Sequence, residues 1–296
     1  MSTSDSRFAF PALLFGSTLL AVGPWLVRLA GVGPVAAGFW RLALAVPCLF
    51  FIARLTRHPA HLPGRATAGL VMLAGLFFAL DLAAWHIGIH MTKLGNATMF
   101  GNVSSFAFAA WGLWLARSRP SPLQAAALLL AGAGAALLMG SSAELSLRHL
   151  HGDLFALGAG LLYTGYLIVV QRVRGTLAPL PLLFLASLSG AVILLPISLI
   201  LGEQLIPTNW TFVILLALSS QVIGQGLLVY ALGRLPPLII GLTLLTQPAV
   251  SALVGYLAYG ERLTLLDGLG MGAMIAALVL VRLPVRGLRS RAPQPS

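Results

Sequence analysis

From its N-terminus the chain alternates between apolar runs of about 20 residues and short breaks rich in Gly, Pro and charge. Ten such runs can be marked, at roughly 8–29, 34–54, 66–89, 94–115, 122–140, 153–171, 179–201, 210–232, 236–259 and 265–282. At 1.5 Å per residue each is of the length that crosses a hydrocarbon layer of about 30 Å. None alternates with period two, which argues against a barrel. The joints are short, as in "GVGP" (31–34), "RSRPSP" (117–122) and "GERLT" (260–264), so no separate soluble domain is expected. The first run follows Arg7 and continues through Gly23-Pro24-Trp25, too long for a cleaved leader, and reads as a spanning helix. The ending "RLPVRGLRSRAPQPS" (282–296) reads as basic, with a disordered tail over residues 285–296.

Composition points the same way. Of 296 residues, 58% are apolar and only 8% charged, with mean hydropathy +0.95. An ordinary soluble domain carries about a quarter charged residues. The net charge of +11 does not indicate nucleic acid, because the cations sit singly or in pairs between apolar runs rather than on one face. They fix an orientation instead. With the N-terminus inside, thirteen of the 18 Lys and Arg fall on inner segments and four (Arg28, Lys93, Arg148 and Arg262) on outer ones. Arg41 lies within a span. Both termini are therefore expected in the cytoplasm. The one cysteine, Cys48, excludes an intrachain disulfide and a thiolate metal site.

The chain also resembles itself at an offset of 144 residues. Gly16 meets Gly160, Arg28 meets Arg172, Pro63 meets Pro207, Thr67 meets Thr211, and Leu94 meets Leu238. Runs 1–5 begin and end where runs 6–10 do. Lone polar residues coincide, with Asp81 on Gln225 and Asn102 on Thr246, while Arg41 falls on Leu185. An odd number of spans per repeat inverts the second half. The predicted fold is an all-α polytopic membrane protein of ten helices in two inverted five-helix repeats, residues 1–145 and 146–284. That architecture is the signature of alternating-access carriers with a site near midplane.

The residues that carry a family resemblance are spread along the chain. "GFWRLALAVP" (38–47) resembles a second-helix pattern of an Arg followed by small and apolar residues. "TQPAVSALVGYLAYGERLTLLDGLGMGAMIAALVLV" (246–281) resembles a closing pattern: a mid-helix Pro, a Glu at the helix end, then a Gly-rich last helix. Together with the ten-span architecture, these make the chain similar to the drug/metabolite transporter superfamily, EamA type. Within it the chain looks most similar to bacterial exporters of amino acids, aromatic ones included. The first half departs from the pattern, with Arg at 117 rather than Glu and no proline in helix 4. The resemblance implies a secondary exporter of small metabolites in a bacterial inner membrane, with a small-molecule substrate, the bilayer as its surroundings and no cofactor.

Ionisable groups inside spans are costly, about 2.5–3.5 kcal/mol at the centre, and so are functional candidates. Arg41, Asp81 and Asn102 fall at similar depth, roughly 10–14 Å below the outer surface. Arg41 and Asp81 are expected to form one polar layer, as a substrate site, a proton site or a structural ion pair. Aromatics stand beside these groups at helical spacing: Phe78, Asp81 and Trp85 on one face, Met99, Asn102 and Phe106 on another. Gln221 with Gln225, Thr243 with Gln247, Tyr163 and Trp25 complete the expected binding set. Such a lining suits a substrate with an uncharged middle and a polar end; nucleotide-sugars would need more cations. His86 and His90, four apart, have metal-like spacing but no third ligand in view, and read as interfacial, as do His149 and His151.

Gly23-Pro24, Pro47, Pro196 and Pro248 are candidate hinges. Pro248 lies mid-helix beside Gln247, where it frees the carbonyl of Leu244; the matching Asn102-Val103-Ser104 reads as unbroken. "AGAGAAL" (131–137) and "GLGMGA" (268–273) are expected to pack closely. No G-x-x-x-x-G-K-[ST] element is present, so transport is facilitated or ion-coupled. An intramembrane serine enzyme fits poorly, since Gly101-Asn-Val-Ser104 lacks the second glycine of a nucleophile elbow. A channel fits poorly too, since each helix offers only one or two polar residues. The protein is read as a carrier, possible as a monomer.

Overall fold

The computed structural model describes residues 8–56, 64–92, 97, 100–117, 119–140, 149–260 and 263–282. The tail from 283 and the orientation-setting cations Arg7, Arg57, Lys93, Arg148, Arg262, Arg286, Arg289 and Arg291 lie outside the described residues. Every regular element among the described residues is helical. In chain order they are α1 (Ala9–Leu29), α2 (Pro34–Leu55), α3 (Arg65–Met91), α4 (Val103–Leu115), α5 (Pro122–Gly140), α6 (Leu150–Val173) and α7 (Pro179–Ile200). Then come α8 (Trp210–Leu215), a π-helical stretch (Leu216–Gln225), α9 (Gly226–Leu232), α10 (Pro237–Leu244), α11 (Gln247–Tyr259) and α12 (Leu265–Arg282). Seven helical runs are long and apolar enough to cross a membrane, with Trp210–Leu232 and Pro237–Ala258 each counted as one. Val103–Leu115, Pro122–Leu138 and Leu265–Val281 are shorter and equally apolar.

The helix starts follow local chemistry. Pro34, Pro179 and Pro237 each open a helix, where their missing N–H has no partner to lose. The N-terminus of α2 is closed by a distant residue: Glu203 accepts from Val35 N at 3.1 Å and Ala36 N at 2.7 Å, which satisfies two orphan donors with a favourable charge. Trp40 Nε1 donates to Leu205 O at 2.6 Å and fastens the same connection. Gly260 ends α11 in the left-handed region, at φ 65°.

Pairs of helices make the bundle. α3 packs on α6, α2 on α7, α5 on α12, α4 on α10, and α1 on the π-helical stretch and α9. The main core, with Phe78, Tyr166, Leu42 and Leu194, sits among α2, α3, α6 and α7. The small residues of α5 and α12 behave as expected. A Cβ on Gly134 would stand 2.7 Å from Gly270 O, and one on Gly270 would stand 2.8 Å from Gly134 O. Arg174, just beyond α6, donates through Nε to Val229 O at 2.9 Å and through Nη1 to Leu177 O. Burial, with Arg234 beside it, lowers its pKa to about 10.

Two breaks shape the middle of the bundle. The helix begun at Pro237 stops at Leu245–Thr246 and restarts at Gln247. Pro248 therefore stands in the first turn of α11 rather than in mid-helix, and it interrupts no ladder there. Residues 100 and 101 are helical, Asn102 is a turn, and α4 starts at Val103. The expectation that this stretch is unbroken is thus overturned. Asn102 and Thr246, the residues that precede α4 and α11, are the pair matched at offset 144. By contrast α1, α2 and α7 continue without interruption through Pro24, Pro47 and Pro196.

Candidate functional site

The breaks and the inward faces of α1, α3 and α6 enclose a cavity of about 230 Å³. α3 supplies Phe78, Asp81, Trp85 and His86, an i, i+3, i+7, i+8 stripe on one face. α1 supplies Gly23, Pro24, Trp25 and Arg28, α2 supplies Arg41, and α6 supplies Tyr163. The first break contributes Gly101, Asn102, Ser104 and Ser105, and the second contributes Leu244, Gln247, Pro248 and Ser251. Ser251 Oγ donates to Ala21 O at 3.4 Å and ties α11 to α1 at the wall.

Of the expected binding set, the cavity thus brings together Trp25, Phe78, Asp81, Trp85, Asn102, Tyr163 and Gln247. Gln221 and Gln225 stand one layer behind it. Both are fully buried on the π-helical stretch, where i→i+5 bonding replaces the usual ladder. Gln221 accepts from Arg41 Nε at 3.1 Å and donates to Ser187 Oγ at 2.9 Å. Gln225 accepts from Tyr163 OH at 3.4 Å. Thr243 is buried at the second break, where its carbonyl accepts from Ser17 Oγ at 3.3 Å and Thr246 Oγ1 at 2.7 Å. Phe106 packs away from the cavity, its ring edge 3.4 Å from where a Cβ on Gly132 of α5 would be. Met99 lies outside the described residues.

Aromatic rings form the cavity's floor. Phe78 stacks on Tyr166 with centroids 4.6 Å apart and planes 20° apart. Tyr163 stacks on Tyr166 at 5.6 Å and 19°. The Arg41 guanidinium lies 5.5 Å from the Phe78 centroid, within reach of a cation–π attraction. Arg41 and Asp81 act on each other electrostatically, yet among the described residues no ion pair of 4.0 Å or less joins them. The expected polar layer is present as two charges on one wall, with the hydrogen bond of Arg41 given to Gln221 instead.

His86 is a correction to the interfacial reading. It is 3% exposed, and among the described residues its Nδ1 has no hydrogen-bond partner. It sits at a helix position near the end of a span, where sequence alone suggested water. The missed signal was its place on the Phe78–Asp81–Trp85 face, one residue beyond Trp85. Among the described residues no group of three or more His, Cys, Asp and Glu could hold a metal ion.

Comparison with known proteins adds a family. The EamA-like transporter family model matches residues 150–283. The threonine/homoserine exporter RhtA of Escherichia coli (strain K12) is 30% identical over 219 residues, covering 71% of each chain. Its counterpart in Salmonella typhimurium (strain LT2) is 28% identical over the same share. An uncharacterized transporter of Archaeoglobus fulgidus is 25% identical over 280 residues, 93% of this chain and 96% of its own. One crystal structure of a protein shares the fold with a TM-score of 0.80 at 14% identity, over 95% of this chain and 97% of that one.

Proposed function

This chain belongs to the EamA-like transporter family, within the drug/metabolite transporter superfamily, and on that premise we propose that it exports amino acids, aromatic ones included, across a bacterial inner membrane. It is a multi-pass membrane protein. The observation that carries the substrate reading is the mid-bundle cavity, lined by rings, by Arg41 and Asp81 at mid-bundle and by Arg28 at its outer end. Ligand sites are mainly apolar with a few placed polar groups, and drug-sized ones run to about 300–1,000 Å³. At about 230 Å³ this cavity suits a single amino acid better than a bulky drug. The relatives named as threonine/homoserine exporters point the same way.

The proposed transport cycle is alternating access between two inverted five-helix halves, residues 1–145 and 146–284, with both termini in the cytoplasm. Two observations support it. The breaks at Asn102 and Thr246 are 144 residues apart, as are the matched runs. The packing pairs also exchange under that offset: α2 with α7 and α5 with α12 each pair with their own counterpart, and α3 on α6 matches the run 210–232 on α1. In that orientation the cavity leads to the outer ends of α1 and α11, at Arg28 and Gly255.

The test is uptake and counterflow in proteoliposomes across labelled amino acids, purine metabolites and cationic drugs. Saturable flux with counterflow for amino acids is expected. Flux without saturation would point to a channel, and no flux of any amino acid would overturn the substrate reading.

A further inference from the structure

Arg41 and Asp81 are opposite charges on the wall of one cavity, each half-buried, with their exposure turned to that cavity. Structural ion pairs in a low-dielectric interior close tightly, because each bare charge there is expensive. These two do not close to 4.0 Å or less. A snorkelling Arg would reach for the membrane surface. Arg41 is instead held at mid-bundle: Nε donates to Gln221, Gln221 is itself held by Ser187, and Phe78 lies beneath the guanidinium. Among the described residues this clamp leaves Nη1 and Nη2 with no acceptor. The arrangement is that of a fork orientated in advance for a carboxylate.

We propose, building on the amino-acid reading above, that Arg41 and Asp81 are the two poles of a zwitterion site, Arg41 taking the substrate's α-carboxylate through Nη1 and Nη2 and Asp81 taking its α-ammonium. A substrate carrying both charges on one carbon satisfies both residues at once. One carrying either charge alone leaves the other pole uncompensated in an apolar wall. The side chain is then left to Trp25, Trp85 and Tyr163, rings that accept different shapes. The site discriminates by the amino-acid backbone and tolerates variety beyond it. Gln221, behind the wall, is a positioning residue: it fixes Arg41 without touching substrate.

The experiment is competition against labelled threonine counterflow in proteoliposomes, with threonine, threonine methyl ester and the corresponding 2-hydroxy acid as competitors. Wild-type protein is expected to prefer threonine over each single-charge analogue by tenfold or more. Asp81→Asn should weaken threonine by tenfold or more while the 2-hydroxy acid competes as before. Arg41→Gln should weaken threonine similarly while the methyl ester competes as before. Wild-type transport with no preference for the zwitterion would overturn the inference and leave the amino-acid reading standing, and it needs no variant to fold. Equal loss for all three competitors in a variant that melts like wild type would overturn it as well. A wild-type protein that moves no labelled amino acid would overturn the amino-acid reading, and this inference with it.

Discussion

The two breaks in the middle of the bundle have the same geometry and different residues. At Thr246 a proline follows two residues later, and the turn is braced by side chains: Thr246 Oγ1 donates to Thr243 O at 2.7 Å and meets Ser17 Oγ at 3.3 Å. At Asn102 no proline follows, and the side chain lines the cavity. A proline therefore does not create the break. What the two share is their place, beside the contact of α4 with α10 and at the cavity wall. A break at that depth is tolerated only where its polar groups face a cavity or packed protein. At the second break the polar residue holds the turn, and at the first it lines the ligand space.

The contact of α4 with α10 is the largest lever on this comparison. A Cβ on Gly241 would run into the carbonyl oxygen of Ser105, one turn beyond the first break. That obstacle is backbone and cannot rotate away. Gly241→Val should destabilise by about 3 kcal/mol and abolish counterflow. Gly101, beside the first break, meets the Trp85 ring instead, and a side chain can shift. Gly101→Ala should cost about 1 kcal/mol in stability while lowering apparent affinity through the displaced ring. Thermal melting in detergent, together with counterflow, checks both. Equal melting losses would show that this contact is as soft as the cavity wall.

The division of labour between the two polar residues gives an effect of intermediate size. Thr246→Val removes a hydrogen bond at the second break and should lower stability by about 1 kcal/mol with apparent KM within twofold of wild type. Asn102→Ala, at a residue that lines the cavity, should raise apparent KM by threefold or more. If both variants shifted the same quantity, the two breaks would be playing one role.

How much of this could be read from the chain follows the physics of each signal. The apolar runs were legible because hydrocarbon demands length and lack of charge, and α1, α2, α3 and α7 fall within a few residues of their expected bounds. Depth was legible too, and it grouped Arg41, Asp81 and Asn102. Rotation was not. Phe106 lies four residues from Asn102, a spacing that puts the two on one helical face, yet the turn at Asn102 lets Phe106 face α5. The π-helical stretch left no signal in hydropathy, and it is what turns both Gln221 and Gln225 inward behind the wall. His86 was misread because its position along α3 says how deep it is and not what covers it; α2 does, at Gly38.

The smallest expected effect decides the comparison most directly. If proline made the second break, Pro248→Ala would supply the missing N–H, α10 and α11 would join, and the rejoined helix would reorient Gln247 and Ser251 at the cavity wall. Counterflow would then fall by tenfold or more. The geometry argues otherwise. Pro248 stands in the first turn of α11, where its N–H would be an orphan in any case. Thr246 already directs its own N–H to Thr243 O at 3.1 Å, a three-residue bond that tightens the end of α10. The same break forms at Asn102 with Val103 and Ser104 following. Pro248→Ala should therefore keep the break, change stability by less than about 1 kcal/mol through the unfolded chain alone, and leave counterflow within threefold of wild type.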